Sequence, residues 1–190
     1  QAQYSLNNDP PKTPNLDQLA FNGIVFDNAW ATPVCTTTRS TMITGKYGVN
    51  SGVLDVGDII PADSVILQRH IKNDPSTSNY ATALIGKWHL GGSSPQASHP
   101  NDMGVDYYAG NLRGSINDYE SWPLTINGQT NQTTTYHTTK TTDLAIDWIG
   151  AQTEPWFLWL AYVAPHSPFH LPPASLHTQN LSGTEEDIAT

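Results

Sequence analysis

The one cysteine of the sequence, Cys35, lies in a segment that could do chemistry. Three threonines and Arg39 follow it, and a helix-like run continues to Gly45. If a helix begins at Cys35, its free N–H groups and its dipole form a positive end that binds sulfate or phosphate. Arg39, one turn on, adds a planar fork of donors suited to an oxyanion. The alternative is that Cys35 is a small buried hydrophobe beside a threonine-rich cap.

Two more polar clusters follow apolar runs of strand length. Lys87 and His89 come directly after one run, and His166 comes after another. In an extended segment Lys87 and His89 share a face, while Trp88 points the other way into packing. Together with Cys35 and Arg39 they supply a nucleophile, two cations and two imidazoles, which suits the cleavage of a sulfate or phosphate ester. For a histidine beside proline, such as His166, an ordinary surface role is the alternative.

Alternating strands and helices must position these clusters. The sequence predicts helices at 14–22, 35–44, 62–72 and 138–151, strands at 24–29, 80–86 and 156–162, and loops with short strands over 95–135. This order predicts an α/β fold with a mostly parallel sheet sandwiched by helices. Ligands of such sheets bind outside the carboxyl ends of the strands, so we expect the three clusters to meet at one edge.

Composition narrows the function classes. The chain has 190 residues, which is enough for one domain with a core, and its net charge is −9. That charge argues against a duplex nucleic-acid partner, because phosphate neutralisation needs clustered Lys and Arg. The single cysteine excludes an internal disulfide framework. No apolar run is long enough to span a membrane. Charged residues make up only 13%, as is common outside the cytoplasm.

Five short motifs, in order, resemble those of the type I sulfatases, the arylsulfatase A-like branch of the alkaline phosphatase superfamily. They are Thr13–Asp17 (TPNLD), the signature over Cys35–Gly45, Gly86–Gly91 (GKWHLG), Gly104–Tyr108 and Ala164–Pro168 (APHSP). The chain therefore looks like part of a single sulfatase catalytic domain over residues 1–190, lacking the first strand and the C-terminal part.

The resemblance implies a sulfuric ester hydrolase whose nucleophile is a formylglycine made from Cys35. Its hydrate would attack sulfur and bind Ca²⁺, and Arg39 would hold that hydrate. Lys87 would contact the sulfate oxygens, and His89 would deprotonate the hydrate to expel sulfate. His166 would lie near the leaving-group oxygen or the sulfate.

The same resemblance implies partners and a location. The substrate would be a sulfated small molecule or carbohydrate, and a formylglycine-generating enzyme would mature the chain. The expected location is periplasmic or secreted, or lysosomal if the source is eukaryotic. Neither a nucleic acid nor a membrane span is expected.

The sequence departs from the family pattern at two points. Thr37 stands where the family has proline two residues after the cysteine. The family's two carboxylate-bearing pairs have no match, so position 35 is the one metal ligand that remains. Ca²⁺ takes about six to eight oxygens, and the matching motifs of this chain do not supply them. We therefore expect Ca²⁺ in the complete domain and expect this chain alone to be inactive. A phosphonate or phosphodiester hydrolase of the same superfamily, and an anion-binding module with unmodified Cys35, are the alternatives.

Overall fold

A computed structural model describes residues 13–177 of the chain, which divides into two compact units, Gln1–Ala31 and Thr32–Thr190. In the first unit, helix α1 (Pro14–Asn22) begins after Thr13 and ends at Gly23, as predicted. The Thr13 hydroxyl donates to the carboxylate of Asp17 at 2.8 Å instead of accepting from the helix backbone.

The strand predicted over 24–29 is wrong. This segment belongs to no strand, and Ile24, Val25 and Phe26 are exposed. Apolar and β-branched side chains favour a strand only where a neighbour completes its hydrogen-bond ladder, and none of the described strands pairs with this segment. Cys35 therefore does not follow a strand.

A five-stranded mixed sheet organises the second unit. In spatial order the strands are β4 (Gln129–Thr133), β3 (Trp122–Ile126), β2 (Tyr107–Gly110), β1 (Ala81–Gly86) and β5 (Trp156–Ala161). β1 is parallel to both β2 and β5, whereas the β3–β4 hairpin is antiparallel and extends the sheet beyond β2. The α/β prediction is confirmed, and the short strands expected in the polar region 95–135 are β2, β3 and β4.

Six helices are described, and the one that carries the cysteine matches its prediction. Helix α2 (Cys35–Thr44) ends at Gly45, whose φ of 67° is the left-handed conformation that glycine adopts readily. The others in this unit are α3 (Gly48–Ser51), α4 (Leu67–Asn73), α5 (His99–Asp102) and α6 (His137–Gly150), and a 3-10 turn spans Ala174–Leu176.

Helix α4 begins at Leu67 and is shorter than the predicted 62–72. Ser64 instead closes a turn by donating its N–H to the carbonyl of Pro61 at 2.9 Å. Ile66 is extended and completely buried at the N-cap position. Burying that side chain in the core takes precedence over an earlier helix start.

Strand β1 lies at the centre of the core and is buried on both faces, as its continuous apolar sequence predicts. Leu84 belongs to a cluster that includes Ile43 of α2. Ala83 and Ile85 belong to a second cluster, with Ala145 of α6. The carboxyl end of β1 is consequently held from both sides. Among residues 13–177, no helix is both long and apolar enough to cross a membrane.

Candidate active site

Cys35 is the first residue of α2, so its side chain lies at the open N-terminus of that helix. Its Sγ is 3.2 Å from Nδ1 of His89. The hydroxyl of Thr36 lies 3.3 Å from Nδ1 and 3.4 Å from Nε2 of the same ring. The structure therefore brings Cys35 and His89 together, and it adds Thr36, which is not among the predicted site residues. Its position next to Cys35 was the available signal.

Lys87 is buried beside Cys35. Only 5% of its surface is exposed, and it interacts electrostatically with Cys35. Burial lowers the pKa of Lys87, and the nearby charge of Arg39 adds to this, whereas Cys35 opposes it. Trp88 points the other way and is completely buried in the core, as predicted. A buried ammonium of this kind favours an anionic partner.

Arg39 ties α2 to the carboxyl end of β1. Its Nε donates to the carbonyl of Trp88 at 2.7 Å, and Nη2 donates to the carbonyl of Lys87. The guanidinium lies 4.6 Å from the ring centroid of Trp159, a cation–π contact that sequence patterning did not reveal. Burial lowers the pKa of Arg39 to about 10, against the opposing effects of Tyr108 and Cys35. At neutral pH it is a fixed cation.

His89 is held in an unusual backbone conformation, with φ at 56°. Its N–H donates to the carbonyl of Leu112 at 3.0 Å. Gly114 lies against the imidazole, and a Cβ added there would stand 2.3 Å from Cε1 of the ring. Any side chain at position 114 would thus displace the His89 ring, and no sequence signal indicated this close approach. Burial lowers the pKa of His89 to about 4, helped by the charges of Lys87, Arg39 and His166, so the ring is neutral at pH 7.

His166 is exposed on the loop that follows β5. Because Gly86 and Ala161 are register partners in parallel strands, this loop begins next to the segment that carries Lys87 and His89. The charge of His166 contributes to the low pKa of His89. All five predicted site residues therefore belong to one edge of the sheet, although Cys35 reaches it from a helix and not from the end of a strand.

Hydrogen bonds between threonine hydroxyls surround the N-terminus of α2. The Thr32 hydroxyl bonds the hydroxyls of Thr37 and Thr38, and the Thr37 hydroxyl lies 3.0 Å from the carbonyl of Val34. Thr37 is buried, with 5% of its surface exposed. The residue that replaces the family's proline is thus integrated into the start of the helix.

The metal implied by the resemblance has no complete site in residues 13–177. No group of three or more His, Cys, Asp or Glu side chains in this part of the chain could hold an ion. Sulfatases generally bind a metal, but the described donors do not fit one by themselves.

Comparison with known proteins identifies the family. The model of the Sulfatase family matches residues 1–186. Arylsulfatase J of Mus musculus is 31% identical over 182 residues, covering 85% of this chain and 30% of that protein. The Ulvan-active sulfatase of Formosa agariphila is 37% identical over 100 residues, covering 51% of this chain and 19% of that protein.

Solved structures agree with these sequence matches. The crystal structure of Ps i-CgsB in complex with k-i-k-neocarrahexaose has a TM-score of 0.72 at 30% identity, and covers 84% of this chain and 41% of its own. That of BT4656 with its substrate D-glucosamine-2-N,6-O-disulfate has a TM-score of 0.68 at 27% identity, with coverages of 83% and 30%. The chain spans less than half the length of these relatives. Since the family model matches nearly all of its residues, the chain belongs to the sulfatase family.

Proposed function

We propose that the protein is a sulfuric ester hydrolase that cleaves an organic sulfate ester through a formylglycine derived from Cys35. One observation carries the proposal. Cys35 begins a helix 3.2 Å from a neutral histidine, His89, and beside the buried cation of Lys87. Membership of the sulfatase family supports the same reaction.

The nucleophile would be the aldehyde hydrate at position 35. One hydroxyl oxygen attacks sulfur as it loses its proton, the S–O bond of the ester breaks, and the leaving alcohol takes up a proton. The second hydroxyl then gives its proton to His89, the aldehyde C=O forms as the C–O bond to the sulfate breaks, and sulfate departs; addition of water to the aldehyde restores the hydrate. A neutral imidazole can accept that proton, and the low pKa of His89 keeps it neutral. No water has to attack the covalent intermediate.

Fixed positive charge would stabilise the transferring sulfuryl group. Lys87 would contact its oxygens, and the free N–H groups at the start of α2 would add their dipole. Arg39 would hold the hydrate and maintain the charge of the site. These cations act in a partly buried site, where electrostatic interactions exceed those in water. His166, on the exposed loop, would serve the leaving-group oxygen.

We propose a sulfated carbohydrate as the substrate class, with a smaller sulfate ester as the alternative. Ps i-CgsB has been crystallised with k-i-k-neocarrahexaose and BT4656 with a sulfated glucosamine, and both resemble this chain at 27–30% identity. We further propose maturation by a formylglycine-generating enzyme and a periplasmic or secreted location, lysosomal in a eukaryote.

Ca²⁺ is the cation that we propose for the complete protein. Position 35, as formylglycine, would be one of its ligands, and the ion would polarise the reacting oxygens. Residues 13–177 contain no cluster that could complete its coordination.

Mass spectrometry of the peptide 31–46, with the protein purified from its own source, tests the proposal directly. Formylglycine is lighter than cysteine, because oxygen replaces sulfur and hydrogen is lost. We expect the lighter form together with turnover of an aryl sulfate that exceeds turnover of an aryl phosphate or phosphonate. An unmodified thiol without turnover would favour the anion-binding module, which Thr37 suggests. Faster phosphonate cleavage would favour the phosphonate or phosphodiester hydrolase.

A further inference from the structure

His137, the first residue of α6, is a fully buried histidine that the mechanism above does not use. Its Nε2 lies 3.1 Å from Oδ1 of Asn111, and the Thr141 hydroxyl lies 3.4 Å from its Nδ1. The other end of the Asn111 amide donates to the carbonyl of Arg113 at 2.8 Å, which fixes the orientation of the amide. Oδ1 can therefore only accept, so Nε2 of His137 carries the proton and Nδ1 accepts from Thr141. Burial lowers the pKa of His137 to about 4, and this neutral form persists at pH 7.

Asn111 connects His137 to the segment beneath His89. The carbonyl of Asn111 accepts the N–H of Trp88 at 3.0 Å, and the next residue, Leu112, accepts the N–H of His89. The Asn111 amide also holds the backbone at Arg113, directly before the glycine that lies against the His89 ring. The hydrogen bond from His137 therefore fixes the residue on which the backbone around His89 rests.

Tyr119 connects His137 to the other histidine of the site. The backbone N–H of His137 donates to the carbonyl of Tyr119 at 2.8 Å, and the two rings meet edge to face with centroids 5.9 Å apart. The Tyr119 hydroxyl donates to the carbonyl of His166 at 2.7 Å. Only 3% of the surface of Tyr119 is exposed, so its position is set by the core.

We propose that His137 is a positioning residue that orients His89 through Asn111 and the His166 loop through Tyr119. Two loops at the ends of neighbouring strands are thereby connected to one buried residue, the first through its imidazole and the second through its backbone N–H and the ring contact with Tyr119. The effect on catalysis rests on the proposed function of His89 and His166, whereas the effect on backbone order does not. A buried histidine that merely filled the core would satisfy its own hydrogen bonds without linking both loops.

Substituting His137 in the complete protein separates positioning from core filling. H137Q places an amide N–H where Nε2 stood, whereas H137F keeps the ring volume and loses the donor. We expect H137F to lower kcat by about tenfold or more with KM within about twofold, because misorientation affects the transition state more than ground-state binding. H137Q should stay within about threefold of the wild type.

L124A is the matched control, because Leu124 is buried in the same cluster as Trp122 and Tyr136 and is not a hydrogen-bond partner of Asn111. It should lower Tm and leave kcat of the folded enzyme unchanged. Y119F, which removes a single hydroxyl, tests the second link even if H137F does not fold. It should lower kcat and leave the hydrogen bonds of Asn111 unchanged.

Hydrogen exchange gives a readout that needs no turnover. H137F should speed exchange of the Trp88 and His89 amides. The same amides should exchange at wild-type rates in H137Q and Y119F, and the amides of the β3–β4 hairpin should do so in all three variants. If the wild type is inactive but exchange behaves in this way, the proposed function fails and the positioning role stands. Equal kcat and equal exchange in H137F and H137Q, or a kcat loss reproduced by L124A, would overturn the positioning role.

Discussion

The loops after β1 and β5 begin side by side, yet they hold their site residues very differently. After β1, Lys87 is buried, and Trp88 and His89 are bonded through their N–H groups to the segment after β2. After β5, His166 is exposed, and its imidazole contacts only Ser167 among the hydrogen bonds described. The long-range hydrogen bonds of that loop involve side-chain hydroxyls: Tyr119 donates to the carbonyl of His166, and Tyr136 and Thr142 pair with the side chains of His170 and Tyr162.

The difference matches the two halves of an ester. The sulfate group is the same in every substrate, and the residues proposed to bind it lie on the rigid, buried end of β1, where preorganised charge is most effective. The leaving group differs between substrates, and the residue proposed to serve it lies on an exposed loop. Loops of this kind can change without disturbing a core.

The largest effect on activity is expected from removing the proposed nucleophile at position 35. Cys35→Ala in the complete protein should reduce kcat by about 10⁴-fold or more, because no other side chain can form the covalent intermediate. M42A, on the exposed face of the same helix, is the control and should retain activity. Steady-state turnover of an aryl sulfate measures both, and substantial activity in C35A would remove position 35 from the mechanism.

Arg39→Lys should damage activity and stability together, as expected for the rigid end. A lysine cannot serve the carbonyls of Lys87 and Trp88 at once, so we expect a loss of about 1–3 kcal/mol in unfolding free energy. The kcat should fall by roughly a hundredfold, comparable to the loss of one oxyanion donor. Urea unfolding and turnover of the same preparation provide the two values. A stable but inactive R39K would mean that the two carbonyls find other donors.

His166→Gln should lower activity without lowering stability, whereas Arg39→Lys should lower both. Because His166 is exposed, the unfolding free energy should change by no more than about 0.5 kcal/mol. The kcat should still fall by about 10–100-fold, as is typical when a general acid or base is lost. Substrates with poor leaving groups should suffer most, and an equal loss for all leaving groups would argue against the assigned role.

Motif and periodicity predicted the parts of the site that lie within single elements. The helix that begins at Cys35, the strand before Lys87 and the burial of Trp88 all follow from local sequence and are confirmed. The predicted strand over 24–29 is wrong, because a strand requires a partner and local propensity carries no information about one.

The links between elements could not be predicted. Gly114 lies against His89, Trp159 lies under Arg39, and Asn111 bonds His137 across 26 positions. Each of these contacts depends on tertiary placement, and each partner taken alone has an ordinary sequence environment. The sequence thus indicated the chemistry of the site more fully than the framework that orients it.

Acid should weaken the link between the two loops, because it protonates His137. The pKa of His137 is about 4 when folded and near 6.5 when unfolded. The unfolded chain therefore binds the proton first, so the contribution of His137 is complete above pH 6.5 and is lost as the pH falls toward 4.

The difference in unfolding free energy between wild type and H137Q isolates this histidine from the others that titrate in the same range. That difference should shrink by roughly 1–3 kcal/mol between pH 7.5 and pH 4.5. Urea titrations of both proteins across this interval measure it. A difference that stays constant would mean that His137 is charged, or accessible to water, in the folded protein, and Asn111 would then accept from an imidazolium.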